Sequence, residues 1–327
     1  MGTAMKTKEL WKIITFYARF TPNYTKLGYY ARRPFWGRSS ALDFSGQRWL
    51  ITGASAGLGK AMMHAAANAG AQVVAVARNQ QRLDSAVAEM GESAATKVTT
   101  MVADMSLQSS TQSLLDRLVA SDDRFDVLMN NVGLLLNSMI LTAEGRETSF
   151  VTNVLSHFLL TEGLVANGCL KNDAVIVNMT SGGMYNAPLG TKGLNTTDAN
   201  RYNGKASYAY AKRAQVALTG YWNTVFGDRG IRCYVTHPGW SKTPGVKDAM
   251  PLFWKIQNVI LRTPLQGVDT ALWLCSTRPP ITGEEVVWFD RKARPTHMYE
   301  YTKKAQCTVD ELVGYLRSEL DVRSDEA

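Results

Sequence analysis

Cysteine and long apolar runs are both scarce in this chain of 327 residues. Its four cysteines lie far apart, at Cys169, Cys233, Cys275 and Cys307, which fits neither a disulfide framework nor a zinc site. The longest apolar stretch near the N-terminus, residues 11–20, contains two charged residues and is shorter than the roughly 18 residues that span a membrane. It is also too short and too aromatic for the apolar region of a signal sequence that a small-residue cleavage site would follow. We therefore expect a protein of a reducing compartment, the cytoplasm.

An excess of charge of one sign is also missing from most of the chain. The net charge is +8, but residues 1–45 contain eight lysines and arginines against two acids, so they carry +6 of it. The remaining sequence is nearly balanced and has no zinc-finger, RNP or helix-turn-helix pattern, so we expect no nucleic acid partner. With 45% hydrophobic residues, the chain can bury a large core, and we expect one α/β domain rather than two small ones.

Apolar runs and helical patterns alternate from residue 46 onward. RWLITG and AQVVAVAR, at residues 48–53 and 71–78, have the composition of buried strands, and a helical pattern lies between them at 57–70. Further strands are predicted at 97–106, 125–133, 174–181 and 231–239, and further helices at 109–119, 148–165 and 208–226. Apolar strands that alternate with helices indicate a doubly wound parallel sheet of the Rossmann-like α/β class.

The pattern divides the chain into a single domain at residues 46–290, a basic and aromatic N-terminal extension at 1–45, and a C-terminal helical extension at 291–327. The last extension begins its helix with a capping box, in which Thr308 and Glu311 are three residues apart. Two loops, at 182–207 and 240–264, follow strand ends. Because open α/β sheets bind ligands there, we expect these loops to hold a substrate.

A glycine-rich turn lies between the first predicted strand and the first helix. Such glycines allow a tight turn and a close approach of the backbone to a pyrophosphate at the helix N-terminus. The residues that we expect to contact a dinucleotide here are Gly53, Ser55, Gly57, Leu58 and Gly59. Where the second strand ends, a site for NAD usually has an acid, but this chain has Arg78. A guanidinium pairs well with a 2′-phosphate, so Arg78 predicts NADP; a simple exposed strand end is the alternative.

Tyr208 and Lys212 are four residues apart in a helical pattern, which places both on one face of the helix. An ammonium near a phenol favours the ionised form, so we expect it to lower the pKa of the tyrosine toward a value suited to proton transfer. Tyr299 and Lys303 have the same spacing, but they lie in a polar stretch beyond the predicted sheet. Only the first pair is therefore expected to be catalytic.

Polar residues also follow two other predicted strands. Ser181 ends a buried strand, where its hydroxyl can hydrogen-bond a substrate carbonyl or simply cap a turn. Asn131 and Gly133 follow another strand, and Asn153 lies within a helix, where asparagine is a mediocre helix former. For these three residues a structural role is as compatible with the pattern as a functional one.

Taken together, these residues resemble the short-chain dehydrogenase/reductase family. The matching positions are Thr52 to Gly59 for the TGxxxGxG turn, Asp104 for the acid that meets the adenine, Asn130 to Gly133 for NNAG with Val132 in place of Ala, Asn153, Ser181, Tyr208 and Lys212 for the catalytic tetrad, and Pro238, Gly239 and Thr243 for the PG-x3-T stretch. HPGWSKTPGVKDAMP, WFDRK and YTKLGY also resemble the branch called dehydrogenase/reductase SDR family member 12. The retinol-dehydrogenase-like branch is similar over the core, and it shares the long interval between Ser181 and Tyr208.

The resemblance implies an NADP(H)-dependent oxidoreductase that transfers a hydride between the nicotinamide and a carbonyl or alcohol carbon. It implies that Tyr208 gives or takes the hydroxyl proton and Lys212 holds the ribose. It further implies that Ser181 positions the oxygen and Asn153 relays protons through water. A cofactor-binding sensor or scaffold with little turnover is the alternative.

Large apolar side chains after the last predicted strand indicate an apolar pocket and hence a lipophilic small-molecule substrate. They are Trp240, Met250, Phe253 and Trp254. At the other end of the chain, residues 1–45 contain ten of the 31 Phe, Trp and Tyr residues. Interleaved basic and aromatic residues suit a helix at an anionic membrane surface, so residues 1–40 are a candidate peripheral membrane contact. Packing on the core, or on the partner in a homodimer, is an equal alternative.

Overall fold

A single eight-stranded sheet organises the computed structural model, which describes residues 20–36, 41–283 and 285–321. The strands are β1 Arg48–Thr52, β2 Gln72–Ala77, β3 Val98–Val102, β4 Phe125–Asn130, β5 Leu170–Met179, β6 Arg232–Thr236, β7 Val286–Phe289 and β8 Lys292–Pro295. Their order across the sheet is β3-β2-β1-β4-β5-β6-β7-β8. All neighbours are parallel except β7 and β8, which form an antiparallel hairpin. The prediction of a doubly wound parallel sheet in a single domain is confirmed.

Helices cover both faces of the sheet. They are α1 Lys26–Arg32, α2 Gly57–Asn68, α3 Gln80–Ala88, α4 Glu92–Ala95, α5 Gln108–Ala120, α6 Thr148–Ala166, α7 Gly204–Val225, α8 Pro244–Ala249, α9 Pro251–Gln257, α10 Pro264–Thr277 and α11 Val309–Asp321. One core joins the sheet to α5, α6, α7 and α11, with Phe158 and Trp222 among its buried residues. The other joins it to α2, α3 and α10, through residues such as Met62 and Val268. Strands buried on both faces explain the nearly continuous apolar runs in the sequence.

The apolar composition of helix α6 is explained by its position inside the fold. By length and composition it is able to cross a membrane, and among the described residues it is the one helix of this kind. However, 72% of its apolar stretch of 18 residues is buried in the protein, as is typical of a core helix. Its segment Val151–Leu155 is π-helical, and such widened turns are frequent at functional sites.

Helix α7 begins four residues before the predicted start at Tyr208. The Asn203 side chain caps it by accepting a hydrogen bond from the backbone N–H of Ala206 at 3.1 Å. Asparagine is favoured at the N-cap position because its side-chain oxygen accepts a hydrogen bond from an N–H that has no partner within the helix. Because the helix starts earlier, Tyr208 lies within it, and helical residues before and after Tyr208 fix its backbone.

The two extensions are continuous with the domain where the structure describes them. Residues 20–36 pack at the β7–β8 side of the sheet, whereas residues 1–19 and 37–40 of the proposed membrane contact lie outside the described residues. The predicted boundary at residue 290 divides the β7–β8 hairpin, because β8 continues the sheet beyond it. At the C-terminus, the capping box is confirmed: Thr308 accepts from the N–H of Glu311, and the Glu311 carboxylate accepts from the N–H of Thr308. The predicted loop at 240–264 contains α8 and α9.

Candidate active site

The glycine-rich turn connects β1 to α2 as the sequence predicts. Gly53 and Gly57 have positive φ angles of 70° and 55°, which favour glycine. A Cβ on Gly59 would collide with the carbonyl group of Gly53, so close packing of the turn requires this third glycine. Helix α2 has no side-chain cap at its N-terminus. The N–H groups of its first turn are therefore available to an anion, and the turn forms a cradle that fits a dinucleotide pyrophosphate.

Two further elements support this turn. The Thr52 hydroxyl accepts from the N–H of Asn131 at 3.0 Å, and the Asn131 side chain donates to the Thr52 carbonyl at 2.8 Å. These bonds fix the end of β4 against the end of β1. On the other side, a Cβ on Gly57 would lie 3.2 Å from the Thr243 side chain, which itself caps α8. The structure thus brings Asn131 and Thr243 to the glycine-rich turn, while Ser55 and Leu58 lie within it, half-buried.

The remaining predicted cofactor residues lie along the same edge of the sheet. Arg78 directly follows β2, is exposed, and has no ion-pair partner in residues 20–36, 41–283 and 285–321. Asp104 follows β3 and accepts through one carboxylate oxygen from the N–H and the hydroxyl of Ser106, at 2.9 and 2.7 Å. Gly239 follows β6 with a φ of 66°, and the Pro238 carbonyl accepts from the Ser241 hydroxyl. These residues therefore follow the carboxyl ends of β2, β3 and β6, the same edge of the sheet as the glycine-rich turn.

Ser181 and Tyr208 face each other where β5 ends. The Ser181 hydroxyl accepts from the N–H of Gly183 at 3.2 Å, so the serine does cap the turn that follows. A Cβ on Gly183 would lie 3.3 Å from the Tyr208 ring, which shows how closely the ring packs on this turn. Burial raises the pKa of Tyr208, and a hydrogen bond from Ser181 opposes this rise. Ser181 therefore combines the capping role and the position expected of a catalytic serine.

Lys212 lies one helical turn after Tyr208 and is 3% exposed. Its Nζ donates to the Met179 carbonyl at 3.0 Å and lies 5.5 Å from the centre of the Tyr208 ring. Burial lowers the pKa of Lys212 from 10.5 to about 7. Burial disfavours the charged forms of both groups, so the pKa of Tyr208 in this structure is raised above its ordinary value.

Asn153 and Gly133 complete the group around Lys212. The Asn153 amide donates to the Leu134 carbonyl at 2.8 Å, and its oxygen accepts from the N–H of Leu134 at 3.2 Å. A Cβ on Gly133 would lie 2.8 Å from the Asn153 oxygen and 3.2 Å from Lys212 Nζ. Only glycine leaves the space between these two polar groups open. Asn153, in the π-helical segment of α6, thus bonds the loop after β4 and lies beside Lys212.

Gln215 is a supporting residue that sequence reasoning missed. It is buried, its carbonyl oxygen accepts from Lys212 Nζ at 3.2 Å, and its amide donates to the Asn153 backbone carbonyl at 2.8 Å. It thus connects two members of the predicted tetrad. Its position three residues after Lys212, on the same helix face, was the available signal.

Tyr24, from the N-terminal extension, also reaches the cleft and was missed. A Cβ on Gly182 would lie 3.0 Å from the Tyr24 ring, and Gly182 directly follows Ser181. The Tyr24 carbonyl accepts from the N–H of Trp240 at 2.8 Å, which joins the extension to the loop after β6. No local pattern connects residue 24 to a strand end more than 150 residues away.

The segment with α8 and α9 meets the loop that follows β4. The Trp240 and Phe253 rings pack edge to face, with centres 5.0 Å apart. The Asn137 amide donates to the Ala249 carbonyl at 3.0 Å, so the loop after β4 meets the end of α8. Met250 and Trp254 are half-buried in this segment. In the part of the chain that the structure describes, no group of three or more His, Cys, Asp or Glu is placed to hold a metal.

Comparisons with known proteins agree with this geometry. A family model described as "short chain dehydrogenase" matches residues 47–251. Dehydrogenase/reductase SDR family member 12 of Bos taurus is 33% identical over 297 residues, which cover 88% of this chain and 91% of that protein. Retinol dehydrogenase 12 of Bos taurus is 28% identical over 278 residues, covering 81% and 85%.

Solved structures show the same fold. A short chain dehydrogenase from Burkholderia cenocepacia in complex with NADP aligns with a TM-score of 0.58 at 21% identity, covering 72% of this chain and 92% of that one. At this identity the likeness concerns the fold alone. The extent of the family match, together with the tetrad and the glycine-rich turn in one cleft, shows that this chain belongs to the short-chain dehydrogenase/reductase family of oxidoreductases.

Proposed function

We propose that this protein is an NADP(H)-dependent oxidoreductase that interconverts a carbonyl and an alcohol on a lipophilic small molecule. The observation that carries the proposal is the convergence of Asn153, Ser181, Tyr208 and Lys212 at the carboxyl edge of the sheet. They lie beside a glycine-rich turn that fits a dinucleotide. The bound nicotinamide would supply or accept the hydride.

The protein's own residues would bind the substrate oxygen and transfer its proton. Ser181 and Tyr208 face the same space, so a substrate oxygen there would accept hydrogen bonds from both hydroxyls. Tyr208 would donate its proton to that oxygen during reduction and remove it during oxidation. Lys212, held by Met179 and Gln215, would stabilise the phenolate that results. Asn153, whose oxygen lies near Lys212 across Gly133, would hold the water through which the proton leaves.

Arg78 supports the choice of NADP over NAD. It is exposed at the end of β2 and has no acidic partner among the described residues, so its guanidinium is free to bind a 2′-phosphate. The structure of a similar short chain dehydrogenase contains NADP. The lipophilic substrate is supported by the aromatic pair of Trp240 and Phe253 over the cleft, and by similarity to proteins named as retinol dehydrogenases.

The cofactor is tested by fluorescence titration with NADPH and NADH. The wild type should bind NADPH more tightly, and Arg78→Asp should reverse the preference, because a carboxylate repels a phosphate and accepts from ribose hydroxyls. Arg124→Asp is the matched control, since this exposed arginine precedes β4 at the opposite edge of the sheet. An unchanged preference in Arg78→Asp would contradict the assignment of NADP to this residue.

The reaction is tested with Tyr208→Phe in a panel of lipophilic aldehydes and ketones. This variant should lose turnover and still bind NADPH, because it removes the phenolic hydroxyl that carries the proton and leaves the aromatic ring in place. Tyr299→Phe provides the control: Tyr299 has a lysine at the same spacing but stacks on Tyr301 outside the cleft, so this variant should retain activity. Consumption of NADPH that is equal in the wild type and Tyr208→Phe would exclude the proposed mechanism.

A further inference from the structure

Large apolar side chains are exposed on one side of the segment with α8 and α9. Leu252, Ile256 and Val259 are 70%, 67% and 70% exposed. Their spacing of four and three residues places them on one side of α9 and of the turn after it. Phe253, about 100° further around α9 than Leu252, instead packs on Trp240. The segment thus has one apolar side that packs on the protein and a second apolar side that is exposed.

The N-terminal extension continues this exposed surface. Leu27 and Tyr30, three residues apart on α1, are each 54% exposed, while Gly28 and Tyr29 between them are buried. The N–H of Lys26 donates to the Ile260 carbonyl at 2.9 Å, so α1 begins where the α9 segment ends. We call the five side chains the outer apolar face: Leu27, Tyr30, Leu252, Ile256 and Val259. Contiguous exposed apolar side chains on a folded protein commonly mark an interaction site.

Basic residues are frequent in the segments that carry the outer apolar face. They are Lys26, Arg33, Lys242, Lys247 and Lys255, and none of them has an ion-pair partner among the described residues. Asp248 is the one acid in residues 20–36 and 240–262, which together form the face and its border. The nearby Arg32 and Arg262 instead both pair with Asp290. The border of the face is thus strongly positive, which selects against a basic partner.

We propose that the outer apolar face docks on the surface of an anionic lipid bilayer, with its five apolar side chains inserted below the headgroups. An interfacial helix binds in this way, through apolar burial and the attraction of lysines to acidic lipids. A second copy of the chain fits less well, since its basic border would face an identical one. Docking in this orientation brings the α8–α9 segment to the membrane, where a lipophilic substrate dissolves.

This surface differs from the contact expected from the sequence. The sequence pointed to residues 1–40, because aromatic and basic residues are concentrated there. The structure adds α9, which is more than 200 residues away in the chain, and joins it to α1. The docking proposal does not depend on catalysis, so failure of the carbonyl assay and failure of membrane binding are separate results.

Vesicle flotation with the full-length chain tests the proposal. The probes are phosphatidylcholine vesicles with and without about 30% phosphatidylserine. The wild type should bind the anionic vesicles, bind the neutral ones weakly, and dissociate as NaCl rises from about 0.05 M to about 0.5 M, because salt screens the lysines. Leu252→Ser/Ile256→Ser/Val259→Ser should lower partitioning on the order of tenfold or more.

A matched triple variant tests whether vesicle binding requires the outer apolar face or any exposed apolar side chains. Ile140, Val225 and Ile281 are also large and exposed, at 52%, 46% and 41%, and they lie on other elements. Ile140→Ser/Val225→Ser/Ile281→Ser should bind anionic vesicles as the wild type does. Thermal unfolding and NADPH affinity confirm that both triple variants are folded.

Three results would overturn the proposal. Undiminished vesicle binding in the α9 variant would place the membrane contact elsewhere, such as in residues 1–19. Absence of binding by the wild type at low salt would remove the membrane as the occupant. Self-association of the wild type in gel filtration with light scattering, lost in the α9 variant without an effect on vesicles, would assign the face to a second copy.

Discussion

The pH dependence of stability should report the unusual environment of Lys212. Burial lowers its pKa from 10.5 to about 7 in the folded protein without cofactor. In the unfolded chain this lysine remains protonated up to its ordinary pKa. Between these two values the folded state binds fewer protons than the unfolded state, so stability increases as pH rises. Lys212 therefore destabilises the folded protein most at and below neutral pH, and this penalty is relieved above it.

The magnitude follows from the proton balance. At pH 7 about half of the folded molecules keep the proton, and at about pH 9 almost none do, while the unfolded chain keeps it throughout. A difference of one bound proton changes the free energy of unfolding by about 1.4 kcal/mol per pH unit. Between pH 7 and about pH 9, Lys212 therefore increases the free energy of unfolding by about 2 kcal/mol. Lys212→Met removes the titrating group and keeps an unbranched side chain of similar length. Its free energy of unfolding should lack this gain.

Urea unfolding of the two proteins at pH 7 and pH 9 measures the difference directly, because all other titrating groups are shared. Lys304→Met, which changes an exposed lysine, is the control and should follow the wild type. The same pH dependence in the wild type and Lys212→Met would refute the depressed pKa. It would show that Met179 and Gln215 hold the ammonium well enough to offset its burial.

Two further changes test the fold around the site. Gly59→Ala should abolish NADPH binding, since its Cβ would meet the Gly53 carbonyl and force the turn open; fluorescence titration checks this, and normal affinity would contradict the close packing. Asp290→Asn leaves the buried Arg262 without its counter-charge and should cost about 3–5 kcal/mol. Thermal unfolding should show a decrease of about 4–7 °C, and a shift within about 1 °C would mean that the pair is not essential to stability.

The sequence contained most of what defines the fold and the cofactor cleft. The strands before residue 240 are strongly apolar, and each is followed by a local motif whose place at a strand end can be predicted, such as the Gly53 to Gly59 turn. Carboxyl ends of parallel strands lie at one edge of the sheet, which is why a ligand site could be expected there. These features depend on local pattern and on topology, both of which are readable from a single chain.

Other features depend on contacts between distant residues and were not predictable. β7 and β8 are only four residues each and have no period that separates them from a loop. The position of Tyr24 against Gly182 depends on the tertiary packing of the N-terminal extension. The burial of Tyr208 and Lys212 was not predictable either, because spacing along a helix says nothing about burial, and burial is the largest cause of both pKa shifts.

A buried ion pair holds the N-terminal extension against the cleft. Arg262, 1% exposed, forms two hydrogen bonds with Asp290 at 2.6 and 2.9 Å and donates to the Tyr24 carbonyl at 3.0 Å. Burial alone would raise the pKa of Asp290, but Arg262 and Arg32 hold it below its usual value. A Cβ on Gly239 would lie 2.6 Å from the same Tyr24 carbonyl. Because one buried arginine joins the extension, the β7–β8 turn and the loop after β6, any movement of the extension must change the wall of the cleft.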